Sequence, residues 1–170
     1  MVAPGAAEVQ VYKMDQVEEE LPDAERGIQG MSIKVVLDEG AYIPERAHKT
    51  DAGLDLKTRE KVTIWGGCSH IFDTGVHIEM PPGCYGKIES KSGLNVKQSI
   101  VSCGGVIDEG YTGSIRVKLY NLSNYSYTFE PGDKIAQLII QPYIVEDGFE
   151  IVDSLTETER GDAGFGSTGK

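Results

Sequence analysis

Short apolar runs separated by turn residues characterise the chain from Ile33 onward. The runs are rich in β-branched and aromatic residues, and pairs such as Gly66-Gly67 and Pro131-Gly132 interrupt them at regular intervals. Many short strands joined by tight turns are typical of a sandwich, a barrel or a jelly roll, so we expect an all-β fold. The predicted strand runs are IKVVL, KVTIW, HIFDTGVHIEM, CYGKIE, SIVS, SIRVKLYNL, YSYTF and KIAQLIIQPYIV.

The length of the chain limits the number of domains. A chain of 170 residues is long enough for one well-buried core, and it is too short for us to expect two. We divide it into a polar, acidic N-terminal extension at residues 1–30, a β domain at residues 31–155 and a mobile C-terminal arm at residues 156–170. Two short segments have helical potential, namely residues 93–98 and the sequence TETER at residues 156–160.

The charge and composition disfavour several classes of protein. The formal net charge is −11 at pH 7, whereas wrapping a nucleic-acid backbone requires clustered Lys and Arg. No stretch is long and apolar enough to span a membrane, and the N-terminal residues lack a signal-peptide pattern, so we expect a cytoplasmic protein with no nucleic-acid or membrane partner. The three cysteines form no CxxC pair, which favours small buried thiols over disulfides or a zinc site.

A locally basic pocket is compatible with this acidic composition. The acidic residues concentrate toward both ends of the chain, whereas several cations lie in its middle. A basic pocket inside an acidic surface can attract an anionic ligand. The mid-chain cations are Lys87, Lys91, Lys97, Arg116 and Lys118.

The glycine-rich sequence RGDAGFGSTGK, at residues 160–170, has the chemistry of a phosphate-binding segment. Free glycine amides form anion-binding concavities, and the Ser167 and Thr168 hydroxyls can donate hydrogen bonds. Arg160 can bind phosphate oxygens through its two-pronged guanidinium group. The alternative is a solvated Gly/Ser tail. Phe165 favours the first interpretation, because an aromatic ring in such a tail needs a partner on which to stack.

Two interior segments carry polar residues that a plain strand does not need. HKTDAGLDL, at residues 48–56, places Asp51 and Asp55 around an Ala-Gly pair, and its simplest interpretation is an acidic turn. PGDKIAQLII, at residues 131–140, contains one amide, Gln137, among apolar residues. Buried amides need hydrogen-bond partners, although a half-buried strand with an outward Gln would also explain this pattern.

Two further segments combine turns with reactive side chains. KSGLN, at residues 91–95, offers a cation, a hydroxyl and glycine amides in a row, which suits either a phosphate site or an ordinary Ser-Gly turn. GGVIDEGYTG, at residues 104–113, predicts a tight hairpin that carries Asp108 and Tyr111. Val106 and Ile107 would partly desolvate Asp108, which suits a general base, whereas a solvated turn acid is the alternative.

Five of these sequences together carry a family resemblance. AGLDL, KSGL, GVIDEGYTG, GDKIAQLI and RGDAGFGSTGK, in this order, resemble the five motifs of the trimeric dUTPase family, and the likeness is strongest to its phage and bacterial members. The resemblance implies a β jelly roll, a homotrimer and Mg²⁺-dependent hydrolysis of dUTP to dUMP and pyrophosphate in the cytoplasm of a bacterium or a phage-infected host. It also implies sites shared between subunits, with the C-terminal arm of one chain closing over a pocket formed by two others.

The same resemblance assigns roles around the base and the sugar. Asp108 would accept a proton from the water that attacks the α-phosphorus. Tyr111 would pack on the deoxyribose and exclude a ribose 2′-hydroxyl. The backbone around Gly105 and Ile107 would pair with the uracil edge, and Phe165 would stack over uracil.

Further roles concern the triphosphate and its metal ion. Lys91 would contact the phosphate chain as a point charge where the family usually has Arg. Asp55 would anchor Mg²⁺ through water. The remaining residues implied to bind or support the substrate phosphates are Ser92, Gly93, Gln137, Arg160, Gly166, Ser167 and Thr168.

Two other functions compete with dUTP hydrolysis. A dCTP deaminase shares the jelly roll and the triphosphate logic, but it needs a carboxylate against the base amino group, and the segment offers only Asp108 and Glu109. A nucleotide-switched regulatory protein that binds a repressor would explain the acidic residues 1–30, which the hydrolysis does not use.

Overall fold

A computed structural model describes residues 32–146 and 148–162 and shows an antiparallel β protein. The described residues form eleven strands and one helix. The strands are β1 (Lys34–Leu37), β2 (Leu54–Lys57), β3 (Val62–Ile64), β4 (Ser69–Asp73), β5 (Val76–Glu79), β6 (Cys84–Glu89), β7 (Ile100–Ser102), β8 (Val106–Ile107), β9 (Arg116–Asn121), β10 (Tyr127–Phe129) and β11 (Lys134–Pro142), and the helix is α1 (Ser92–Gln98).

The strands form four antiparallel sheets around one core. The largest sheet has the order β2-β11-β6-β8, and a second has the order β4-β9-β7. Two further pairs, β1-β5 and β3-β10, complete the arrangement. Side chains from different sheets meet in the interior, where Phe72 of β4 packs edge-on against Phe129 of β10 with ring centroids 5.3 Å apart. The burial of such large side chains from several sheets supplies the main stabilisation of the fold.

Most predicted strands are confirmed, but one predicted run is two strands. HIFDTGVHIEM breaks between β4 and β5 at Asp73-Thr74-Gly75. Gly75 has a φ of +67° and lies close to Arg59 and Ala41, so a side chain at this position would be strained and crowded. The buried Thr74 hydroxyl donates a hydrogen bond to the Ile115 carbonyl and holds the break against the core.

Other sequence predictions were wrong in detail. The segment interpreted most simply as an acidic turn contains β2, because Leu54 and Leu56 pack into the core on either side of Asp55. Strand β11 ends at Pro142, three residues earlier than the predicted run. The predicted helix at residues 93–98 is confirmed and begins one residue earlier, whereas TETER is not helical.

The prediction of buried thiols holds for one cysteine of three. Cys84 is buried at the start of β6, whereas Cys68 and Cys103 are exposed. Cys68 closes a turn by donating its backbone N–H to the Trp65 carbonyl, and Cys103 follows the end of β7. Turn and strand-end positions leave these two side chains outside the core.

The segment after β11 has no regular structure in its described part and exposes many apolar side chains. Ile144, Phe149 and Ile151 are 87%, 90% and 99% exposed. Val145 and Leu155 are also more than two-thirds exposed. A concentration of exposed apolar side chains usually marks a contact with another molecule.

No helix in the described part of the chain is long and apolar enough to cross a membrane.

Candidate functional site

The first candidate site is a cavity of about 410 Å³, called here the Asp55 cavity. Strand β11 pairs with β2 on one side and β6 on the other, so Gln137 lies opposite both Asp55 and Glu89. Lys91 follows the end of β6 and therefore reaches the same place. The lining residues are Ala47, Asp51, Ala52, Gly53, Asp55, Lys91, Lys134, Gln137 and Ile139.

Asp55 is the charged centre of this cavity. Its side chain is only 6% exposed, and one carboxylate oxygen pairs with the Lys91 ammonium group while the other lies 2.6 Å from Lys134 Nζ. Burial raises the pKa of Asp55, but the hydrogen bonds and charges of Lys134 and Lys91 outweigh burial and hold the pKa below its usual range. The hydrogen bond to Asp55 raises the pKa of Lys134 in turn. The cavity therefore holds one buried anion and two cations.

Gln137 shapes the Asp55 cavity by holding neighbouring backbone in place. Its Nε2 atom donates a hydrogen bond of 3.1 Å to the Ser90 carbonyl, immediately before Lys91. Its amide packs so closely on Gly53 that a Cβ there would lie 2.2 Å from Gln137 Oε1. The partner expected for this amide is therefore a backbone carbonyl, and Gly53 is required by space. Ser92 and Gly93 follow at the exposed start of α1, outside the cavity lining.

The second candidate site is a cavity of about 520 Å³ around Asp108, called here the Asp108 cavity. Glu109 is its most constrained group, because Glu109 Oε2 accepts hydrogen bonds from Gly83 N at 2.8 Å and from the Tyr143 hydroxyl at 2.9 Å. The bond to Glu109 raises the pKa of Tyr143. The lining residues are Tyr85, Val106, Asp108, Glu109, Gly110 and Tyr143.

The single chain supports the interpretation of Asp108 as a solvated acid, whereas the predicted hairpin was wrong. Asp108 is exposed in the single chain, since Val106 is itself 63% exposed and Ile107 is buried in the core. The predicted hairpin is absent from the described strand pairing, since β8 pairs with β6 whereas β9 pairs with β4 and β7. Residues 108–114 instead cross from one sheet to another, and we call them the crossover loop.

The crossover loop is tightly folded around Tyr111. The Tyr111 N–H donates to the Asp108 carbonyl, and the Tyr111 hydroxyl donates to the Ser114 carbonyl, each at 3.0 Å. A Cβ at Gly113 would lie 2.5 Å from the Tyr111 hydroxyl oxygen. The ring therefore folds back over Gly113, and it is 41% exposed. This geometry presents a fixed aromatic surface beside Asp108.

Gly105 and Ile107 lie where the crossover loop leaves the largest sheet. Gly105 has a φ of +117°, and a Cβ there would lie 2.6 Å from Ile88, so only glycine fits. Its carbonyl accepts a hydrogen bond of 2.8 Å from Ile88 N. Ile107 is buried and lies opposite Gly86 of β6. Strand β8 is an edge strand among the described residues, so one side of its backbone is open to a ligand.

A single chain keeps the two cavities apart. The Asp55 cavity lies on the β2 side of the largest sheet, and Asp108 follows β8 at the opposite edge. Three interstrand steps separate these outer strands, which corresponds to roughly 14 Å. A catalytic base must lie within hydrogen-bonding reach of the water it activates. One chain therefore does not place Asp108 and Asp55 around the same reacting atom.

Comparison with known proteins identifies the family. Residues 39–169 match the family model described as dUTPase. The chain belongs to the dUTPase family. A deoxyuridine 5′-triphosphate nucleotidohydrolase of Crocosphaera subtropica is 42% identical over 142 residues, which cover 82% of this chain and 99% of that protein. The predicted family and the predicted enzyme class, a dUTPase, are confirmed.

Solved structures of phage dUTPases share the fold. A mutant dUTPase of Staphylococcus bacteriophage 80alpha with dUpNHpp matches with a TM-score of 0.76 and 30% identity, covering 82% of this chain and 99% of that one. A mutant dUTPase of phage phi11 of S. aureus, with a structural Mg(II) ion, matches with a TM-score of 0.67 and 30% identity, covering 73% and 98%. The predicted all-β dUTPase fold is confirmed.

Several dUTPase residues predicted from sequence cannot be placed. Phe165, Gly166, Ser167 and Thr168 lie outside the described residues. Arg160 is described and is exposed. The C-terminal part of the predicted site therefore stays a prediction.

Two residues of these cavities, Lys134 and Glu109, had no predicted role at the site. Lys134 lies within the GDKIAQLI motif, and its charge at the start of a predicted strand was a usable signal. Glu109 follows Asp108 directly, but nothing local indicated that it binds Gly83 N and Tyr143. Among the predicted mid-chain cations, Lys87 lines neither cavity and instead pairs with Glu89 at 2.5 Å.

Magnesium is the metal ion that dUTPase membership implies. In the described part of the chain, no cluster of three or more His, Cys, Asp or Glu side chains is positioned to hold a metal ion. The Asp55 cavity instead offers the carboxylates of Asp55 and Asp51. Mg²⁺ commonly keeps several waters and binds one or two carboxylates together with substrate phosphates. Both oxygens of Asp55 pair with lysines, so this donor set fits a magnesium ion only when phosphate oxygens of the nucleotide take over those lysines and help to hold the ion.

Proposed function

We propose that the chain hydrolyses dUTP to dUMP and pyrophosphate, with water attacking the α-phosphorus and Asp108 acting as the general base. The exposed carboxylate of Asp108 next to a cavity is accessible to such a water. The water loses a proton to Asp108, the new P–O bond forms, and the bond from the α-phosphorus to the bridging oxygen breaks in line with it. The observation that carries the proposal is an exposed carboxylate, Asp108, beside one cavity, together with a second cavity whose two lysines could bind a triphosphate.

The triphosphate binds in the Asp55 cavity in this proposal. Lys91 and Lys134 supply two cations, and phosphate oxygens would compete with Asp55 for both. Lys91 acts as a point charge because it lacks the planar fork of Arg. Gln137 supports this site indirectly through Ser90, and Ser92 and Gly93 contribute at the start of α1. Asp55 would hold magnesium through water, and bound magnesium would neutralise the charge that develops on the phosphates.

The base and sugar bind at the crossover loop. The open edge of β8, with Gly105 and Ile107, would pair with uracil, and the Tyr111 ring would pack on deoxyribose. Buried backbone groups left unpaired by the wrong base cost about 1–3 kcal/mol each, which would select uracil over cytosine. Phe165 would cover the base, and the remaining groups of the C-terminal arm, Arg160, Gly166, Ser167 and Thr168, would bind the γ-phosphate.

A homotrimer would complete each site. A neighbouring subunit would bring the Asp108 cavity of one chain beside the Asp55 cavity of another, which a single chain does not do. The exposed apolar side chains of residues 143–155 would pack on a neighbouring subunit, since isolated exposure of this extent is unfavourable. Residues 156–170 would then form the arm that closes over a site.

The N-terminal extension at residues 1–30, the cytoplasmic location and a regulatory protein partner stay predictions.

The first test is pyrophosphate release with Mg²⁺ from dUTP, dTTP, dCTP and UTP in parallel. We expect rapid release from dUTP alone. Ammonia release from dCTP would instead support a deaminase, and binding of dUTP without turnover would support a nucleotide switch. Asp108→Asn should abolish turnover while nucleotide binding persists, and retained turnover would remove Asp108 from the role of base.

Mixed trimers test whether the sites are shared. Asp108→Asn and Asp55→Asn subunits should each be inactive alone. After the two are unfolded together and refolded, some trimers contain an intact Asp55 next to an intact Asp108 from a neighbour, so part of the activity should return. Mixed trimers that form but stay inactive would contradict shared sites.

A further inference from the structure

The crossover loop is anchored by a histidine from outside the motifs that predict the site. His77 lies on β5 between the buried residues Val76 and Ile78, so its side chain points away from the core. Its Nδ1 atom lies 2.9 Å from the Thr112 carbonyl, and its Nε2 atom lies 3.3 Å from Asp38 Oδ1. A carbonyl oxygen only accepts, so Nδ1 carries a hydrogen and donates it to Thr112.

Ser114 anchors the other end of the crossover loop. Its hydroxyl donates to Asp73 Oδ1 at 2.5 Å and accepts from Gly75 N at 3.0 Å. The hydrogen bond from Ser114, with support from Gly75 N and Arg59, holds the pKa of Asp73 below its usual range despite partial burial. Asp73 is therefore an anion at neutral pH and a strong acceptor for Ser114.

Arg59 joins the two anchors into one network. Its guanidinium group lies 3.4 Å from Asp38 and 3.4 Å from Asp73. The contacts thus run from Thr112 through His77, Asp38, Arg59 and Asp73 to Ser114. Tyr111 directly precedes Thr112 in the chain. The Tyr111 hydroxyl also binds the Ser114 carbonyl, so the ring depends on both anchored ends.

We propose that His77 is a positioning residue for sugar selectivity, which rests on the proposed contact between Tyr111 and deoxyribose. An apolar surface by itself rejects an added hydroxyl only weakly, because a mobile side chain moves aside. Rejection of a ribose 2′-hydroxyl requires that the Tyr111 ring cannot retreat. His77 provides this restraint by holding the Thr112 carbonyl, one residue after Tyr111. Without that hydrogen bond, the loop gains freedom and admits ribose.

The test compares kcat/KM for dUTP and UTP in four variants of the full chain. His77→Ala removes both contacts. The side-chain nitrogen of Asn can occupy the place of Nδ1, so His77→Asn keeps the bond to Thr112, whereas His77→Gln reaches only toward Asp38. His70→Ala is the matched control, because His70 lies on β4 and makes a similar contact of 3.2 Å to Glu60, away from the loop.

We expect His77→Ala to lower the dUTP to UTP selectivity by about tenfold, as loss of one positioning hydrogen bond allows. His77→Asn should restore most of the selectivity, His77→Gln should restore little, and His70→Ala should change nothing. Thermal unfolding of each variant is measured in parallel. Because Asn and Gln are compared with each other, the test stands even if the Ala variant folds poorly.

Three results would overturn the inference. Unchanged selectivity in a folded His77→Ala variant would do so, as would equal selectivity in the Asn and Gln variants or an equal loss in His70→Ala. A Tyr111→Ala variant separates this failure from a failure of the proposed site. Selectivity kept in both Tyr111→Ala and His77→Ala would overturn the sugar role of Tyr111, whereas selectivity lost only in Tyr111→Ala would overturn the role of His77.

Discussion

Replacing Gly53 by Ala should disrupt the Asp55 cavity through a single steric contact. A Cβ at this position would lie 2.2 Å from Gln137 Oε1, whereas ordinary van der Waals contact begins at 3.4 Å. The Gln137 amide must swing away, and its hydrogen bond of 3.1 Å to the Ser90 carbonyl is then lost. The closest clash falls on the far end of a flexible side chain, and Gln137 Cβ would make a further close contact at 3.0 Å, so the loss of stability should be about 1–2 kcal/mol. The larger effect should be on activity, because Ser90 precedes Lys91.

We expect kcat/KM for dUTP to fall about tenfold in Gly53→Ala, mainly through a higher KM. Denaturant unfolding measures the stability change, and Gly93→Ala serves as a stability control, since a Cβ at Gly93 meets nothing within 4 Å. That control should be neutral or stabilising, because Ala is favoured over Gly in a helix. Adding Gly53→Ala to Gln137→Ala should cost much less stability than Gly53→Ala costs in the wild type, because only the 3.0 Å contact with the Cβ of residue 137 remains. Additive losses would refute the proposed clash.

Two further predictions concern charges and hydrogen bonds at the cavities. Lys134→Met removes one of the two cations that pair with Asp55. The pKa of Asp55 is lower in the folded than in the unfolded chain, so the ion pairing stabilises the wild type above the unfolded pKa of about 3.9. This contribution disappears as pH falls through the folded pKa. The stability gap between wild type and variant in urea should be present at neutral pH and vanish in acid, and a gap independent of pH would contradict the pairing. Tyr143→Phe removes one of two donors to Glu109 and should lower kcat/KM about three- to tenfold, with a small change in the melting temperature. Unchanged kinetics would show that Tyr143 does not position the loop beside Asp108.

Local sequence patterns predicted most of the secondary structure. Turn residues and β-branched runs predicted most strands, and the helix near Lys91 was expected within one residue. Strand β2 was harder to predict, because the polar Asp55 stands where alternation would place an outward residue, yet it is buried. Its burial depends on Lys134, which is far away in sequence and arrives only through the pairing of β2 with β11.

The crossover loop illustrates a different limit of sequence reasoning. Two turn signals a few residues apart predicted a hairpin, because adjacent strands usually pair. Residues on β9 such as Val117 and Leu119 are buried, and β9 pairs with β4 and β7 instead of β8. Which sheet a strand joins is decided by long-range packing that local turn residues do not encode. The contacts of His77 and Glu109 depend on this long-range strand pairing, so they could not be predicted from the local sequence either.

The separation of the two cavities gives a physical reason for the proposed division of roles between Asp55 and Asp108. A cavity with two lysines attracts a triphosphate, but a carboxylate base beside the same lysines would pair with them, as Asp55 does. Asp108 stays exposed and without a cation among its cavity-lining neighbours because it lies at the opposite edge of the sheet. If neighbouring subunits bring the two edges together, the base meets the phosphates only when the enzyme is assembled and the nucleotide is bound. Assembly would then control reactivity, because a free subunit would bind phosphate in one place and carry its proposed base, Asp108, in another.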